Sequence, residues 1–295
     1  MPLRFLLSRR HRAFTTVELC VILVILLLLL SIFIPFIRKT RETDNRVRCQ
    51  SNLRGIGLAL SKYAKANAGA FPRVVADTGG NYNGYFAYTG PFADNPFAGD
   101  GGVAANDVTA SLFLLVREGY APPDLFICAS SSDIPDPLTD AAAQSTPILN
   151  RSNFKRARNL SYSYASPFSL APGYKFNEYL AADFVIAADK NPGKSSTSDV
   201  TFPAFNAPPI ELAKSNSNNH RQAGQSVLYA DMHVEFRNSP YAGLGGDNIY
   251  TALAERPLPE TPQPDLTPRG VVGPEFSPAW KADSYLVPTE DQDRK

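Results

Sequence analysis

Hydrophobic residues form one continuous run near the N-terminus, and directly after it they recur at helical spacing. The run extends from Phe14 to Ile37 behind a basic stretch without acidic residues. It is long enough for a helix that crosses a bilayer core of about 30 Å. Beyond it, apolar residues recur between charged ones at spacings of three, four and six: Val47, Leu53, Ile56, Leu60 and Tyr63. The pattern predicts one long helix, with a transmembrane half (14–37) and an amphipathic half (38–67) that ends before Gly69 and Pro72.

The rest of the chain predicts a small loop-rich domain over 68–254. A helix is expected at Val108–Glu118, capped by Asn106 or Asp107 and ended by Gly119. Strands are expected at Leu125–Cys128, Leu160–Ala165, Phe184–Ala188, Ser226–Asp231 and His233–Arg237. Frequent prolines predict an extended, flexible tail over 255–295. The expected fold class is α+β, in which the long helix packs on a small antiparallel sheet.

One acidic residue, Glu18, lies inside the apolar run. A charge within a transmembrane helix costs roughly 2.5–3.5 kcal/mol on insertion scales, so a paired charge is expected. If the chain were cut after Ala13, Phe14 would carry a new α-amino group four residues before Glu18. The amine of a neighbouring identical helix would then neutralise this carboxylate in lipid. The segment is therefore predicted to drive self-assembly.

At these residues the chain resembles the type IV pilin and pseudopilin superfamily. Its processing site reads Ala13-Phe14-Thr15-Thr16-Val17-Glu18, with Ala13 where the family usually has Gly. The resemblance implies a leader (1–13) that prepilin peptidase removes by cleaving between Ala13 and Phe14, followed by methylation of the Phe14 amine. Pro35 occupies a position where pilins often carry a helix-loosening proline. The alternative is an ordinary uncleaved signal anchor with a chance acid.

A second resemblance covers most of Phe14–Phe236. It is carried by CQSNLRGIGLALSKYA (Cys49–Ala64), LFICASSSD (Leu125–Asp133), LSYSYA (Leu160–Ala165) and NHRQAGQSVLYADMHVEF (Asn219–Phe236). These segments look like a large bacterial family of unknown function that joins a prepilin-type N-terminus to a C-terminal box of His, nine residues and Asp-Gly. Here ten residues separate His220 from Asp231, and Met232 stands where Gly is usual. Met232 therefore predicts a wider turn or a bulge.

Charge and cysteine content narrow the functional classes. The net charge of +1 gives no electrostatic case for nucleic acid. Outside the cytoplasm, Cys49 and Cys128 are able to form a disulfide, although two free buried thiols remain open as the alternative. Cys20 falls within the membrane run and is expected to behave as a small apolar residue.

Residues with possible chemistry are few. Asp231 and His233 share one strand face, and a hairpin that brought His220 near them would make a metal site conceivable. A core strand with a polar turn is the favoured interpretation, so no metal and no cofactor are predicted. Asp133, Asp136 and Asp140 offer loop oxygens for calcium, but prolines interrupt any recognised spacing. Catalytic motifs are absent from the sequence, which predicts a protein that is not an enzyme.

Three functional hypotheses follow. The first is a structural pseudopilin-like subunit of a type II secretion or type IV pilus-like system. It would sit in the inner membrane with its leader cytoplasmic and its domain periplasmic, and its partners would be prepilin peptidase and other pilin subunits. The second is a membrane-tethered periplasmic binding module that does not polymerise. The third is an anchored metal-dependent hydrolase built on His220, Asp231 and His233.

Overall fold

The longest element in the computed structural model of the chain is helix α1, Thr16–Ala66. The structure describes residues 15–77, 79, 103–138, 151–193, 203, 205–252, 278 and 280–288. The chain divides into two units, Met1–Asp44 and Asn45–Lys295, so α1 contributes residues to both.

In the first unit, α1 exposes its apolar side chains. Every large hydrophobic side chain from Val17 to Ile34 is between 41% and 73% exposed. Within the described ranges, α1 alone is long and apolar enough to cross a membrane. The helix continues through position 35, whereas the side chain of Pro35 lies outside the described part of the structure. The predicted apolar span is therefore present as helix.

In the second unit, one face of α1 enters the hydrophobic core. Its buried side chains recur every three or four residues: Cys49, Leu53, Ile56, Leu60 and Tyr63. Val47 was predicted to belong to this stripe, but it is 58% exposed because Cys49 starts the stripe two residues later. The helix ends as predicted, where the Gly69 amide donates to the carbonyl of Ala64 at 2.8 Å.

The sheet contains five described strands in the order β4-β3-β2-β1-β5, all antiparallel to their neighbours. They are β1 (Tyr162–Ala165), β2 (Val185–Asp189), β3 (Gln225–Tyr229), β4 (Val234–Arg237) and β5 (Leu286–Val287). The first four coincide with predicted strands to within two residues. A long helix and a small antiparallel sheet confirm the α+β class.

Helix α2, Val108–Arg117, lies at the predicted position and is buried along nearly its whole length. Asp107 caps it, because its Oδ1 accepts the Ala110 amide at 2.9 Å. Shorter helical segments are α3 (Pro209–Leu212) and 3-10 turns at Pro123–Phe126, Ala157–Asn159, Ala213–Ser215 and Asn219–Gln222.

The predicted strand Leu125–Cys128 is wrong. The chain instead forms the 3-10 turn Pro123–Phe126, which begins directly after Pro122. Proline fixes φ near the helical value and suits the first position of a helical turn, so this local signal prevails over the apolar alternation. The turn carries the chain towards Cys128.

A described part of the predicted tail, 255–295, packs on the domain. Residues 282–288 are buried, and β5 pairs with β1 through Tyr164–Val287 and Ala165–Leu286. The Asn191 side-chain amide donates to the Leu286 carbonyl at 2.9 Å. Three successive apolar residues, Tyr285 to Val287, outweigh the proline-rich composition around them and complete one edge of the sheet.

Candidate functional site

Glu18 closes the first turn of α1 by pairing with Thr15. The Thr15 amide and hydroxyl both donate to Glu18 Oε2 at 2.9 Å. In return, the Glu18 amide donates to the Thr15 hydroxyl at 3.2 Å. This reciprocal arrangement is a capping box, which satisfies amide donors that a helix N-terminus leaves free. The carboxylate therefore has a partner within its own chain.

The predicted cleavage site precedes this box. Ala13 and Phe14 lie outside the described residues, so their cleavage and the methylation of Phe14 stay predictions. The first described residue, Thr15, is the cap of α1.

Cys49 and Cys128 are joined in a disulfide, with their Cα atoms 5.1 Å apart. The bond links the buried face of α1 to the segment after the 3-10 turn. The Asn52 side-chain amide reinforces this link by donating to the Ile127 carbonyl at 2.8 Å. The Ala129 amide donates to Cys49 Sγ at 3.1 Å. Of the two alternatives, the disulfide is the one present, and Cys20 is a free exposed cysteine.

The structure does not assemble His220, Asp231 and His233 into one site. Asp231 and His233 pair with each other at the tip of the β3–β4 hairpin, where their side chains are 46% and 45% exposed. His220 is fully buried with other partners. The pKa of Asp231 is lowered: desolvation acts in the opposite direction, but hydrogen bonds from the His233 amide and ring outweigh it. The structure therefore contradicts the part of the hydrolase hypothesis that joined His220, Asp231 and His233 in one site.

Of the two forms predicted for the hairpin tip, a wider turn or a bulge, the structure has the bulge. The Met232 amide donates to the Tyr229 carbonyl at 2.9 Å, and the Tyr229 amide donates to the His233 carbonyl at 3.0 Å. Met232 itself takes the left-handed φ of 71°. This is the three-residue connection with a left-handed residue at the bulge. Met232 therefore adopts the backbone for which Gly is ordinarily preferred.

A buried cluster of four side chains brings His220 next to the disulfide. His220 Nε2 lies 3.5 Å from Cys128 Sγ and 3.3 Å from Asp189 Oδ2. One ligand-type atom from each of Cys49, Cys128, Asp189 and His220 lies within 4.8 Å of all the others. All four residues are at most 1% exposed. Within the described residues, this is the one group of three or more His, Cys, Asp or Glu residues able to hold a metal.

The cluster is held by its surroundings. Asp189, the last residue of β2, accepts the Ser226 amide at 2.6 Å and the Asn219 side-chain amide at 3.1 Å. The His220 ring packs edge-on against Phe236, with 5.6 Å between ring centroids. His220, Arg221 and Gln222 all have left-handed φ values, of 57°, 55° and 61°. Such conformations in residues other than Gly cost of order 1–3 kcal/mol each and concentrate at functional sites.

Sequence reasoning missed this cluster because its members are far apart along the chain. Asp189 directly follows the predicted strand Phe184–Ala188. The sequence pattern relates His220 only to Asp231 and His233. The available signal in the sequence is weak. The quoted family segments contain both cysteines and His220, but Asp189 lies outside all of these segments. Only the antiparallel pairing of β2 and β3 brings Asp189 to Ser226 and Asn219.

The acidic loop considered for calcium has other partners. Asp136 forms a buried two-point ion pair with Arg151, at 2.8 and 3.1 Å. Asp133 accepts the Ser161 hydroxyl at 2.6 Å. Asp140 lies outside the described residues. The two described aspartates therefore act as internal hydrogen-bond acceptors.

An open cleft of about 510 Å³ lies near the C-terminal end of α1. Its lining combines aromatic and amide side chains with one cation: Tyr63, Asn67, Ala70, Phe71, Arg73, Phe176 and Asn177. Both amides of this lining have partners within the chain: Asn67 Nδ2 donates to the Tyr63 carbonyl at 2.8 Å, and Asn177 Oδ1 accepts the Tyr179 amide at 3.1 Å. Arg73 supplies a cation beside the apolar walls.

Together these features define a class of protein: an α+β domain whose N-terminal helix is long and apolar enough to span a membrane. Comparison with known proteins finds no match to a family model, a curated protein or a solved structure. A functional assignment therefore depends on the residues of this chain.

Proposed function

We propose that this chain is a structural, pseudopilin-like subunit that assembles through its N-terminal helix in a type II secretion or type IV pilus-like system. Prepilin peptidase would remove residues 1–13 at the inner membrane, leaving the domain periplasmic. The observation that carries the proposal is Glu18, a carboxylate in the first turn of a helix whose apolar side chains are exposed. In lipid, a carboxylate without a cationic partner raises the free energy of insertion of a plain anchor.

The capping box offers a competing reason for Glu18. In the single chain, Thr15 already supplies hydrogen bonds to the carboxylate. Neutral donors leave its charge uncompensated, and an uncompensated charge is costly in lipid. The proposed amine of a neighbouring Phe14 would neutralise it. Capping needs only hydrogen bonds and assembly needs the negative charge, so the two roles can be separated.

Glu18→Gln is the decisive substitution. Glutamine also serves at the third position of a capping box, so this variant keeps the cap and loses the charge. We expect it to insert in the membrane but to lose assembly, measured by crosslinking and by recovery of sheared filaments. Thr15→Ala is the matched control, because it removes both hydrogen bonds of the Thr15 hydroxyl and keeps the carboxylate; it should assemble. Assembly of the glutamine variant at the wild-type level would contradict the proposal.

Processing is tested separately by mass spectrometry of the N-terminus from purified membranes. The expected product starts with an N-methylated Phe14. A chain that still carries Met1, in a strain with active prepilin peptidase, would overturn the proposed processing and leave an uncleaved anchor.

The subunit is proposed to act without catalysis. Among the residues that line the described cleft, none is a histidine, cysteine or acid. His220 is fully buried, and His233 is paired with Asp231 at the hairpin tip. Cys128, whose sulfur lies 3.5 Å from His220 Nε2, is closed in the disulfide and so provides no thiolate nucleophile.

The second candidate is a tethered periplasmic binding module, which the cleft at the end of α1 favours. Arg73→Ala would remove the only cation of the described lining. If the protein is a binding module, this variant should lose its ligand while Glu18→Gln behaves like wild type. The opposite pattern supports the assembling subunit.

A further inference from the structure

We propose that, when the Cys49–Cys128 disulfide is reduced, the buried cluster of Cys49, Cys128, Asp189 and His220 binds one Zn²⁺ ion. The disulfide and the zinc site are then alternative states of the same four residues, because both states use the two Sγ atoms. This inference concerns the second unit and does not depend on the assembly of the first.

The donor set fits zinc. Two thiolates, an imidazole and a carboxylate are ligands that Zn²⁺ accepts in tetrahedral structural sites, which are closed to solvent. All four side chains are at most 1% exposed.

The distances already match two edges of a tetrahedron. With bonds of about 2.3 Å to sulfur and about 2.0–2.1 Å to nitrogen and oxygen, a tetrahedral site places sulfur about 3.5 Å from nitrogen and nitrogen about 3.3 Å from oxygen. His220 Nε2 lies 3.5 Å from Cys128 Sγ and 3.3 Å from Asp189 Oδ2. The same nitrogen faces both atoms, as a shared metal requires. On reduction the two sulfurs would separate to about 3.8 Å, the corresponding sulfur–sulfur edge.

The supporting contacts suit charged ligands. The Ala129 amide donates to Cys49 Sγ at 3.1 Å, and amides of Ser226 and Asn219 donate to the Asp189 carboxylate. Such contacts orient metal ligands and stabilise their negative charge. A zinc site would use the Asp189 and His220 contacts as ligand and supporting interactions.

The two states interconvert by transfer of two electrons and release or uptake of zinc. A dithiol reductant gives two electrons and two protons to the disulfide, producing two cysteine thiols and its own disulfide. Zn²⁺ then binds and displaces the two thiol protons, while Asp189 binds as carboxylate and His220 as neutral imidazole. A disulfide oxidant reverses the process: it takes two electrons from the thiolates, becomes a dithiol by taking up two protons, and frees the zinc.

The test uses the full chain in detergent with the Cys20→Ala substitution, which removes the free cysteine outside the cluster. One half is kept oxidised, and the other is reduced with a phosphine, which is then removed without air. Both halves receive Zn²⁺ for elemental analysis or Co²⁺ for absorption spectroscopy. We expect one metal per chain in the reduced form and none in the oxidised form. Cobalt should show thiolate charge transfer and intense tetrahedral bands.

Variants assign the ligands. His220→Ala should lose zinc while His233→Ala, its matched control at the exposed hairpin tip, keeps it. Asn219→Ala removes a donor to Asp189 and should weaken zinc binding 10–100-fold. A reduced wild-type chain without bound cobalt would overturn the proposal, and this readout does not depend on the folding of any variant. Equal zinc binding by the oxidised form, or by a folded His220→Ala variant, would overturn it as well.

Discussion

Met232 has a left-handed backbone conformation, which residues other than Gly rarely adopt. It adopts a φ of 71° at the tip of the β3–β4 hairpin. Its side chain is partly buried against the core. Met232 Sδ lies 3.3 Å from the point where a Cβ at Gly57 would stand. Packing against α1 therefore compensates for the left-handed backbone.

This balance predicts an unusual order of stability at position 232. Met232→Ala and Met232→Gly both lose the packing, but only alanine retains the cost of the left-handed backbone, about 1–2 kcal/mol. The glycine variant should therefore be more stable than the alanine variant by about 1 kcal/mol in urea unfolding. At Val47, an exposed position in α1, the same two substitutions should give the reverse order, because glycine weakens a helix interior. The same order at both positions would contradict this account.

The Arg151–Asp136 ion pair is buried, with both side chains at most 1% exposed. Arg151→Met should lower the free energy of unfolding by about 3–5 kcal/mol, because it leaves a buried carboxylate without its cation. The comparison is Arg237→Met, which removes the exposed cation paired with Glu235. Exposed pairs contribute at most about 1 kcal/mol. Equal losses in the two variants would show that burial does not set the strength of the pair.

At the scale of elements, two glycines let α1 lie close to its neighbours: Gly57 faces β3, and Gly55 faces the 3-10 turn Pro123–Phe126. A Cβ at Gly57 would lie 3.0 Å from Leu228 Cδ1 on β3, and one at Gly55 would lie 3.1 Å from Leu125. From sequence, these glycines only weaken the helix. In the structure, they allow side chains from the sheet and from the 3-10 turn to reach the helix backbone.

Gly57→Leu should therefore push α1 away from β3. Overpacking a dense core costs typically 1–3 kcal/mol, more than the helix propensity that leucine gains. Leu58→Ala on the exposed side of the helix is the control and should change stability by less than about 0.5 kcal/mol. Unfolding in urea measures both. A more stable leucine variant would show that the helix does not depend on this close approach.

The elements also show how far sequence patterns reach. The α1 stripe, the Asp107 cap and the first four strands follow from local periodicity and short-range hydrogen bonds, and all were predictable within about two residues. The edge strand Leu286–Val287 was not, because two residues carry no period and their partner, β1, lies more than a hundred positions earlier. His220 was placed with Asp231 because they are close in sequence, whereas its actual partner, Asp189, is fixed by the β2–β3 register.

At the scale of the whole molecule, the Cys49–Cys128 bond closes a covalent loop with a sequence separation of 79. It attaches α1 to the segment that precedes β1. A cross-link over this separation removes roughly 4–5 kcal/mol of chain entropy from the unfolded state. Zinc held by the same cysteines would close the same loop, so both states would join α1 to this segment.

The oxidised form and the reduced form with zinc should therefore both be more stable than the reduced form in chelator. For the disulfide, the gain in the free energy of unfolding should be about 2–5 kcal/mol. For zinc, the gain in the free energy of unfolding should rise with the concentration of free Zn²⁺, because zinc binds the native state. Urea midpoints measure all three, and Cys20→Ala should leave the order unchanged because Cys20 is not part of the loop. If zinc fails to raise the midpoint of the reduced chain, the loop is closed only by the disulfide, and Asp189 with His220 serves packing alone.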